Sequence, residues 1–294
     1  MSLMLDAPRP DGETLPVRVM LPSTGIDAMR TAARSLIQGF AQARSLAWRF
    51  FLRDTRADHR QSALGYVWLV VPPLANALVW IFLNDQEVIA IDSRGVPYPV
   101  FVLAGTVLWT AFNTAVMGML GVVGGARSFL GKVNFPHESL VYSSMLKSVV
   151  EASIASLILI PAALLFRVDA GLLILLFPLA IVSNLMLGWA IGLLLVPVAA
   201  LYSDVGRAIQ LMLRFAFFLT PVIFPIPPSG AARAVMMLNP VTPLVTTGRS
   251  WLTGSPEAMP GQFVVVTIVS ALLFLTCLVV YKLILPHLVE RLST

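Results

Sequence analysis

Long apolar segments separated by short polar ones dominate the pattern of residues along this chain. A helix needs about 20 apolar residues to cross the hydrocarbon core of a bilayer, and six segments meet or approach that length. They predict membrane spans near residues 64–84, 100–124, 140–166, 172–200, 208–224 and 263–285. The predicted fold class is therefore all-α, a polytopic membrane protein with six transmembrane helices.

The composition supports this prediction. Hydrophobic residues make up 57% of the 294 residues and charged residues only 12%, and the mean hydropathy is +0.85. A soluble domain of this length does not have such a composition. The expected function is transport, signalling or chemistry on a lipid-borne substrate.

The distribution of basic residues predicts the orientation, because an excess of Lys and Arg marks cytoplasmic loops. With a cytoplasmic N-terminus, 16 of the 20 Lys and Arg residues fall inside, and those outside are Arg94, Arg167, Arg233 and Arg249. An even number of spans then makes both termini cytoplasmic. Because the basic residues are spread over several membrane-flanking segments, nucleic acid is not an expected partner.

The N-terminal part divides into two segments. Residues 1–44 are polar and predict a disordered or loosely docked cytoplasmic arm, whereas residues 45–294 form the membrane domain. Residues 45–60 have helical periodicity, with Trp48 on one side and four arginines on the other; these are Arg49, Arg53, Arg56 and Arg60. This pattern is typical of a helix in the membrane interface, its aromatic side toward lipid. The alternative is a juxtamembrane anchor without a further role.

Two connecting segments have unusual composition. Residues 127–139 are too polar to span, and Pro136 restricts Phe135, which predicts a short helix or turn on the cytoplasmic side. The segment 221–262 is moderately apolar but contains eight prolines, so no continuous spanning helix is expected there. Short re-entrant helices over 225–250, before the last span, are expected instead.

The chain lacks the motifs of common membrane enzymes. The stretch 125–133 approaches a phosphate-binding loop, but its spacing is one residue too long and Val133 replaces the hydroxyl residue. The three histidines lie apart, without metal-ligand spacing. We therefore expect no catalytic residues, no metal and no cofactor bound by this chain.

Charged residues within the predicted spans are candidates for function, because burying charge in lipid is costly. Lys147 and Glu151 are four residues apart in the third span and can pair on one helix face. They form either a self-neutralised packing pair or a gating element. Arg214, in the fifth span, is expected to extend toward the inner interface.

The order of several short motifs resembles one family, the membrane subunit of ABC-2 type polysaccharide exporters, and its O-antigen branch more than its capsule branch. Each motif is weak alone, but their order and spacing together are specific. They are Arg53-Asp54, residues 61–68, Pro73-Leu74, Leu103-Ala104-Gly105 with Trp109, residues 132–136, residues 202–205, residues 220–225, Leu238-Asn239-Pro240 and Arg249. The long N-terminal arm departs from the family, as does the Tyr202-Ser203-Asp204 stretch, where an Arg often precedes the Asp.

The resemblance implies partners and roles. Two copies of the chain form the pathway in the bacterial inner membrane, and two P-loop ATPase subunits bind the ATP and Mg. Segment 127–139 is the coupling element that docks on the ATPase, with Arg127, Lys132, Phe135, Pro136, His137 and Glu138 as candidate contacts. Phe135 is expected to be the apolar anchor, and Lys132 and Glu138 charges at the rim.

The implied substrate is a polysaccharide on a lipid carrier. Candidates for the translocation path are the charged pair and the aromatic residues of the spans, which suit sugar stacking but also ordinary packing; they are Trp109, Phe112, Lys147, Glu151, Phe215, Phe217, Phe218 and Phe224. Three alternatives remain open. They are an ABC-2 exporter of a small lipophilic compound, a membrane enzyme of lipid-linked sugar assembly, and an ion-driven carrier.

Overall fold

Helices form nearly all of the described chain in a computed structural model. The structure describes residues 2–8, 14–20, 26–59, 64–89, 91–93, 95–130, 135–168 and 171–293. The all-α prediction therefore holds from residue 26 onward within these ranges.

The N-terminal region differs from the predicted arm. Strands β1 (Ser2–Pro8) and β2 (Thr14–Met20) pair antiparallel, with Leu3 opposite Val19. Helix α1 (Ile26–His59) begins well before residue 45 and is continuous through the predicted interface segment. The hairpin was not predicted, because the low hydrophobicity of this region hides the alternation of apolar positions that marks a strand.

The membrane-type helices follow in order. They are α2 (Val67–Asp85), α3 (Tyr98–Leu130), α4 (Glu138–Ser156), α5 (Leu159–Leu165), a 3₁₀ helix (Gly171–Leu176), α6 (Phe177–Leu201), α7 (Ser203–Phe218), α8 (Ala231–Leu238), α9 (Val241–Thr253) and α10 (Pro260–Ser293). Of the described residues, five segments are long and apolar enough to cross a membrane: Val67–Asp85, Tyr98–Ala126, Glu138–Leu165, Gly171–Leu201 and Pro260–Leu285.

The fifth predicted span, 208–224, corresponds to α7, which has only 16 residues. A residue before proline is disfavoured in the helical conformation, and α7 ends at Phe218, shortly before Pro221. The proline-rich segment that follows contains α8 and α9. Every residue of α9 except the half-buried Trp251 is buried within the protein.

Helices α3 and α6 form the centre of the bundle, and most of their residues are buried, whereas α2 lies at the periphery. Gly188 and Gly192 are one turn apart on α6 and face α3. A Cβ at Gly188 would lie 2.6 Å from Ala115 Cβ, and a Cβ at Gly192 would lie 2.6 Å from Met119 Cβ. Glycines four residues apart allow helix backbones in membranes to approach closely, so this pair determines the α3–α6 separation.

We expect Gly192→Ala to destabilise the protein by about 1–3 kcal/mol, because its methyl group overlaps α3 in a packed core. Gly124→Ala is the matched control, since a Cβ there meets nothing within 4 Å. That substitution should be neutral or stabilising by about 0.5–1 kcal/mol. Thermal unfolding of the two purified variants in the same detergent measures the difference, and equal melting temperatures would contradict the assignment.

Candidate functional site

A polar groove lies between α2, α3 and α7. Its volume is about 410 Å³. Hydrogen-bonding side chains from all three helices line it, namely Asn76, Thr106, Thr110, Asn113, Gln210 and Arg214. Polar and ionisable residues within membrane helices usually face a bundle interior or a water-filled cavity and mark substrate pathways. We call this region the α2–α3–α7 groove.

Four aromatic side chains line the same groove and touch one another. The Trp109 and Phe217 ring centroids are 5.8 Å apart, those of Phe217 and Phe218 are 5.3 Å apart, and those of Phe218 and Trp80 are 6.2 Å apart. The Trp80 indole donates a 3.0 Å hydrogen bond to Asn76 Oδ1. The aromatic side chains thus form a continuous series across the groove, from α3 through α7 to α2, beside hydrogen-bonding groups.

Two prolines of α2 form part of the groove wall. Pro72 and Pro73 are consecutive inside α2 and line the groove. Each proline lacks a backbone N–H and crowds the preceding turn. Such breaks at membrane depth are tolerated where protein or a water-filled cavity satisfies the freed carbonyl groups, which agrees with their position beside a polar groove.

Arg249 on α9 is fully buried at the end of the bundle where α3 begins and α7 ends. Its Nη2 donates hydrogen bonds to the carbonyl oxygens of Pro221 and Val222, the latter at 3.0 Å. Its guanidinium carbon lies 3.5 Å from the centre of the Phe101 ring. Its Nη1 lies 3.9 Å from Glu257 Oε2, and the Glu257 side chain is only 6% exposed. We call this arrangement the Arg249 clamp.

The clamp brings together motifs that are far apart in the chain. A Cβ at Gly105 would overlap the Val222 carbonyl, so only glycine lets the turn approach α3. The Tyr98 hydroxyl donates to the carbonyl oxygen of Ile223 at 3.2 Å. Asn239 Nδ2 donates to Thr220 Oγ1 at 2.7 Å. These contacts hold the C-terminal end of α7, which carries Phe217 and Phe218, against α3.

Arg249 was not among the predicted site residues. From the sequence it was one of the few basic residues placed outside and the last residue of the family motifs. The sequence signal that was missed is a basic residue, Arg249, within a threonine-rich helix, followed eight residues later by the acidic Glu257. Within a membrane protein, such a residue is a candidate for function by its position alone.

At the opposite end of the bundle, the predicted coupling segment 127–139 is shorter than expected. Helix α3 continues to Leu130 and α4 begins at Glu138. Glu138 is buried and forms an ion pair with Lys282 of α10. The prediction of Glu138 as an exposed rim charge is therefore wrong, because its carboxylate is used to tie α4 to α10.

Phe135 is half-buried against this chain. Its ring centroid lies 5.7 Å from that of Phe50 on α1 and 4.8 Å from that of His137, both edge to face. Burial lowers the pKa of His137 from its ordinary value, and the neighbouring Glu138 carboxylate opposes this shift. Pro136 is half-buried beside them. Lys132 and Arg60 lie outside the described residues, as does the side chain of Arg127.

The amphipathic part of α1 is oriented differently from the prediction. Arg49, Arg53 and Arg56 are exposed, as expected of one stripe. On the other side, Ala47 and Phe51 are buried within the protein, so this side packs on the bundle and does not face lipid. Trp48 remains 52% exposed and is the aromatic residue available to the membrane interface.

The structure separates the predicted path residues into groups. Trp109 and Phe218 line the groove, together with Phe217. Phe112 is buried beside Trp109, at a centroid distance of 5.4 Å, and is not part of the groove lining. Phe215 is 64% exposed, outside the groove. Phe224 packs against the hydrophobic core.

Lys147 and Glu151 line a different cavity, of about 560 Å³, between α1, α3 and α4. Lys147 Nζ lies 4.0 Å from Glu151 Oε1, which confirms that the two charges face each other along one side of α4. Asn113 on α3 lines both this cavity and the groove. The predicted single path therefore corresponds to two polar regions on either side of α3.

Comparisons with known proteins agree with the motif-based resemblance, although no model of a protein family matches the chain. An O-antigen export system permease protein of Myxococcus xanthus is 27% identical over 221 residues, which are 72% of this chain and 82% of the relative. The corresponding Klebsiella pneumoniae protein is 22% identical over 58% of this chain and 66% of its own length. A polysialic acid transport protein of Escherichia coli is 22% identical over 64% of this chain and 73% of the relative.

The apolar helices are long enough to cross a membrane, and the relatives that resemble this chain are named as permease or transport proteins for O-antigen and polysialic acid. The chain is a homologue of the ABC-2 type permeases of polysaccharide export, with greater identity to the Myxococcus O-antigen permease than to the polysialic acid protein.

We expect Arg249→Met to destabilise the protein by about 3–5 kcal/mol, because removing one partner of a buried pair leaves the other charge without compensation. The double variant Arg249→Met with Glu257→Gln should recover part of this loss. Arg233→Met is the control, because Arg233 is exposed on α8 and donates a hydrogen bond to the carbonyl oxygen of the nearby Pro227. Thermal unfolding in detergent measures the melting temperature of all three variants. An unchanged melting temperature for Arg249→Met would show that the clamp does not stabilise the protein.

Proposed function

We propose that this chain is the membrane subunit of an ATP-driven exporter that moves a lipid-linked, O-antigen-like polysaccharide across the bacterial inner membrane. Two copies form the pathway, and two separate P-loop ATPase subunits bind ATP and Mg and supply the energy. The observation that carries the proposal is the α2–α3–α7 groove, in a chain homologous to permeases named for O-antigen and polysialic acid.

The chemistry of the groove suits a carbohydrate. Sugar rings have apolar faces edged by hydroxyl groups, so aromatic faces beside amides, hydroxyls and a guanidinium complement them. Trp109, Phe217 and Phe218 supply the faces, while Asn113 and Gln210 supply hydrogen bonds. Stacking tolerates a repeating polymer and lets it slide. A small lipophilic compound would leave these polar groups without partners, which costs free energy.

A second copy is expected to complete the groove. Gln210 and Arg214 on α7 are exposed in the single chain. An arginine at membrane depth has a high free-energy cost if it faces lipid. It does not have this cost if it faces a partner chain or an aqueous path. The proposed arrangement places the α7 helices of two copies around a shared path.

The proposed orientation has both termini in the cytoplasm. The α1 end of the bundle, with His137 and Phe135, then faces the ATPase, and the Arg249 clamp faces outward. Phe135 contacts Phe50 of α1 and also retains exposed surface. It can therefore anchor an ATPase subunit and transmit the movement of that subunit to α1.

The groove is tested by a matched pair of aromatic residues on α7. Phe218→Ala should lower the export rate roughly fivefold, because loss of one aromatic contact costs about 1 kcal/mol. Phe215→Ala should change export little, since Phe215 is exposed but does not line the groove. The measurement is polysaccharide export in cells that also produce the ATPase subunit. An equal effect of the two substitutions would contradict the groove as the path.

The coupling surface is tested by association with the ATPase. Phe135→Ala should weaken binding of the ATPase subunit more than tenfold, as expected for loss of about 2 kcal/mol at an anchor residue. Phe50→Ala should leave binding within about twofold but lower the amount exported per ATP hydrolysed. Phe166→Ala, at the opposite end of the α4–α5 segment, is the control. Wild-type ATPase affinity in the Phe135 variant would assign docking to another surface.

A further inference from the structure

One side chain gives the α2–α3–α7 groove a charge. Of the described residues that line the groove, Arg214 on α7 is the ionisable one, and the other polar side chains are amides, hydroxyls and the Trp80 and Trp109 indoles. Within the part of the chain that the structure describes, the Arg214 guanidinium makes no hydrogen bond, ion pair or ring contact. The described groove lining is therefore cationic and has no carboxylate to balance it.

The charge of Arg214 lies near the middle of the predicted membrane. Helix α7 ends at the clamp where α3 begins, so the two helices run in opposite directions. From the contact between Trp109 and Phe217, Arg214 and Asn113 each lie about one turn farther from the clamp, on α7 and α3 respectively. Asn113 is close to the midpoint of the Tyr98–Ala126 span, about 20 Å from either end.

This depth rules out a contact between Arg214 and the lipid headgroups. An arginine side chain spans little more than one helical turn, which is too short to reach either headgroup layer from the middle of a hydrocarbon core of about 30 Å. A charged residue at this depth is stable only if it faces a partner group or a water-filled cavity. The groove supplies the cavity, and the question is what supplies the counter-charge.

Carboxylates at this depth are scarce in the sequence. Away from the ends of the five membrane-length helices and of α7, Glu151 is the one acidic residue. It lies on α4, faces Lys147 and lines the separate cavity between α1, α3 and α4. A second copy placed against α7 presents the same helices, and α2 and α7 have no acidic residue between their ends. The counter-charge is therefore expected from a molecule in the groove.

We propose that Arg214 binds an anionic group of the exported molecule, so that the groove selects negatively charged cargo. The group is a carboxylate or phosphate, carried either by the sugar chain or by its lipid carrier. A guanidinium presents planar N–H donors that match two oxygens of such a group. This inference rests on the proposed function, because it assigns a ligand to the proposed path.

The neighbours of Arg214 suit an acidic sugar. Phe217 lies one turn away on α7 and contacts Trp109 across the groove at 5.8 Å between ring centroids. These aromatic faces can stack on a sugar ring whatever its charge, whereas the guanidinium distinguishes an acidic substituent from a neutral one. In a cleft with low-dielectric walls, a fixed charge also raises the local concentration of molecules of opposite sign. Stacking and charge recognition are thus assigned to different side chains.

The test is equilibrium binding to the purified full-length chain in phosphatidylcholine nanodiscs, which contain no anionic lipid. The probes are a galacturonic acid hexamer and its methyl ester, which have the same sugar rings but differ in charge. The wild-type chain should bind the acidic hexamer about tenfold more tightly, because hydrogen bonds to an ionised partner are stronger than neutral ones. Added salt should weaken this preference.

Three substitutions on α7 assign the preference to one side chain. Arg214→Gln should reduce the preference to within about twofold and leave the affinity for the methyl ester unchanged, which also shows that the groove is folded. Arg214→Lys keeps the charge and should retain most of the preference. Arg207→Gln is the control, because Arg207 is exposed on the same helix, lies 3.6 Å from Asp204 and does not line the groove.

A second pair of probes, farnesyl pyrophosphate and farnesol, identifies the source of the anion. If Arg214→Gln weakens binding of the acidic hexamer, the sugar chain supplies it, and if the substitution weakens only farnesyl pyrophosphate, the lipid carrier does. Unchanged affinity for both anionic probes would overturn the proposal. Wild-type binding of all four probes without a charge preference would overturn this assignment alone, whereas binding of none would contradict the proposed path as well.

Discussion

The close contact between α3 and α6 is the constraint on which the other features depend. Gly188 and Gly192 bring the two helix backbones together, which places α3 at the centre of the bundle. One side of α3 packs against α6. On its other sides, α3 lines the groove with α2 and α7 and lines the cavity with α1 and α4. Both polar regions of the protein are consequently built on the walls of a single, well-packed helix.

The Arg249 clamp satisfies backbone carbonyl groups in the turn that follows α7. Because α7 stops at Phe218, these buried carbonyl groups have no helical hydrogen bonds and need other donors. The guanidinium of Arg249 supplies donors to two carbonyls of the following turn, and Phe101 and Glu257 compensate its charge. An arginine suits this position because its planar group presents several donors in fixed directions. The non-helical turn after Phe218 is therefore stabilised by a side chain in place of helical hydrogen bonds.

The sequence predicted much of the fold because apolar segments of membrane length are a strong signal. Five predicted spans correspond to helices of sufficient length, and the proline-rich segment does break into short helices. The length of the fifth predicted span, 208–224, was overestimated, because the apolar run continues past Phe218 although the helix ends there. The β1–β2 hairpin and the long α1 were missed because local pairing of strands and helix extension into a polar arm leave little trace in hydropathy.

The candidate site was predicted less completely, because hydropathy does not specify which helices are neighbours. Trp109, Phe217 and Phe218 belong to one groove, but Phe112 and Phe215 are turned away from it by the helical rotation of their positions. Glu138 looked like a surface charge because its partner, Lys282, is distant in sequence. The role of Arg249 was equally hard to predict, because its guanidinium contacts Phe101, Pro221 and Val222, which are remote from α9 in sequence, and Glu257 in the loop beyond it.

Asn113 is the side chain shared by the two polar regions, and this sharing has a thermodynamic consequence. An amide offers two donors and one acceptor oxygen, so a molecule that engages it from one side of α3 changes what is available on the other. Any such coupling between two binding equilibria is reciprocal. A molecule in the cavity that Lys147 and Glu151 line would then alter ligand affinity in the α2–α3–α7 groove by the same factor by which a ligand in the groove alters binding in that cavity.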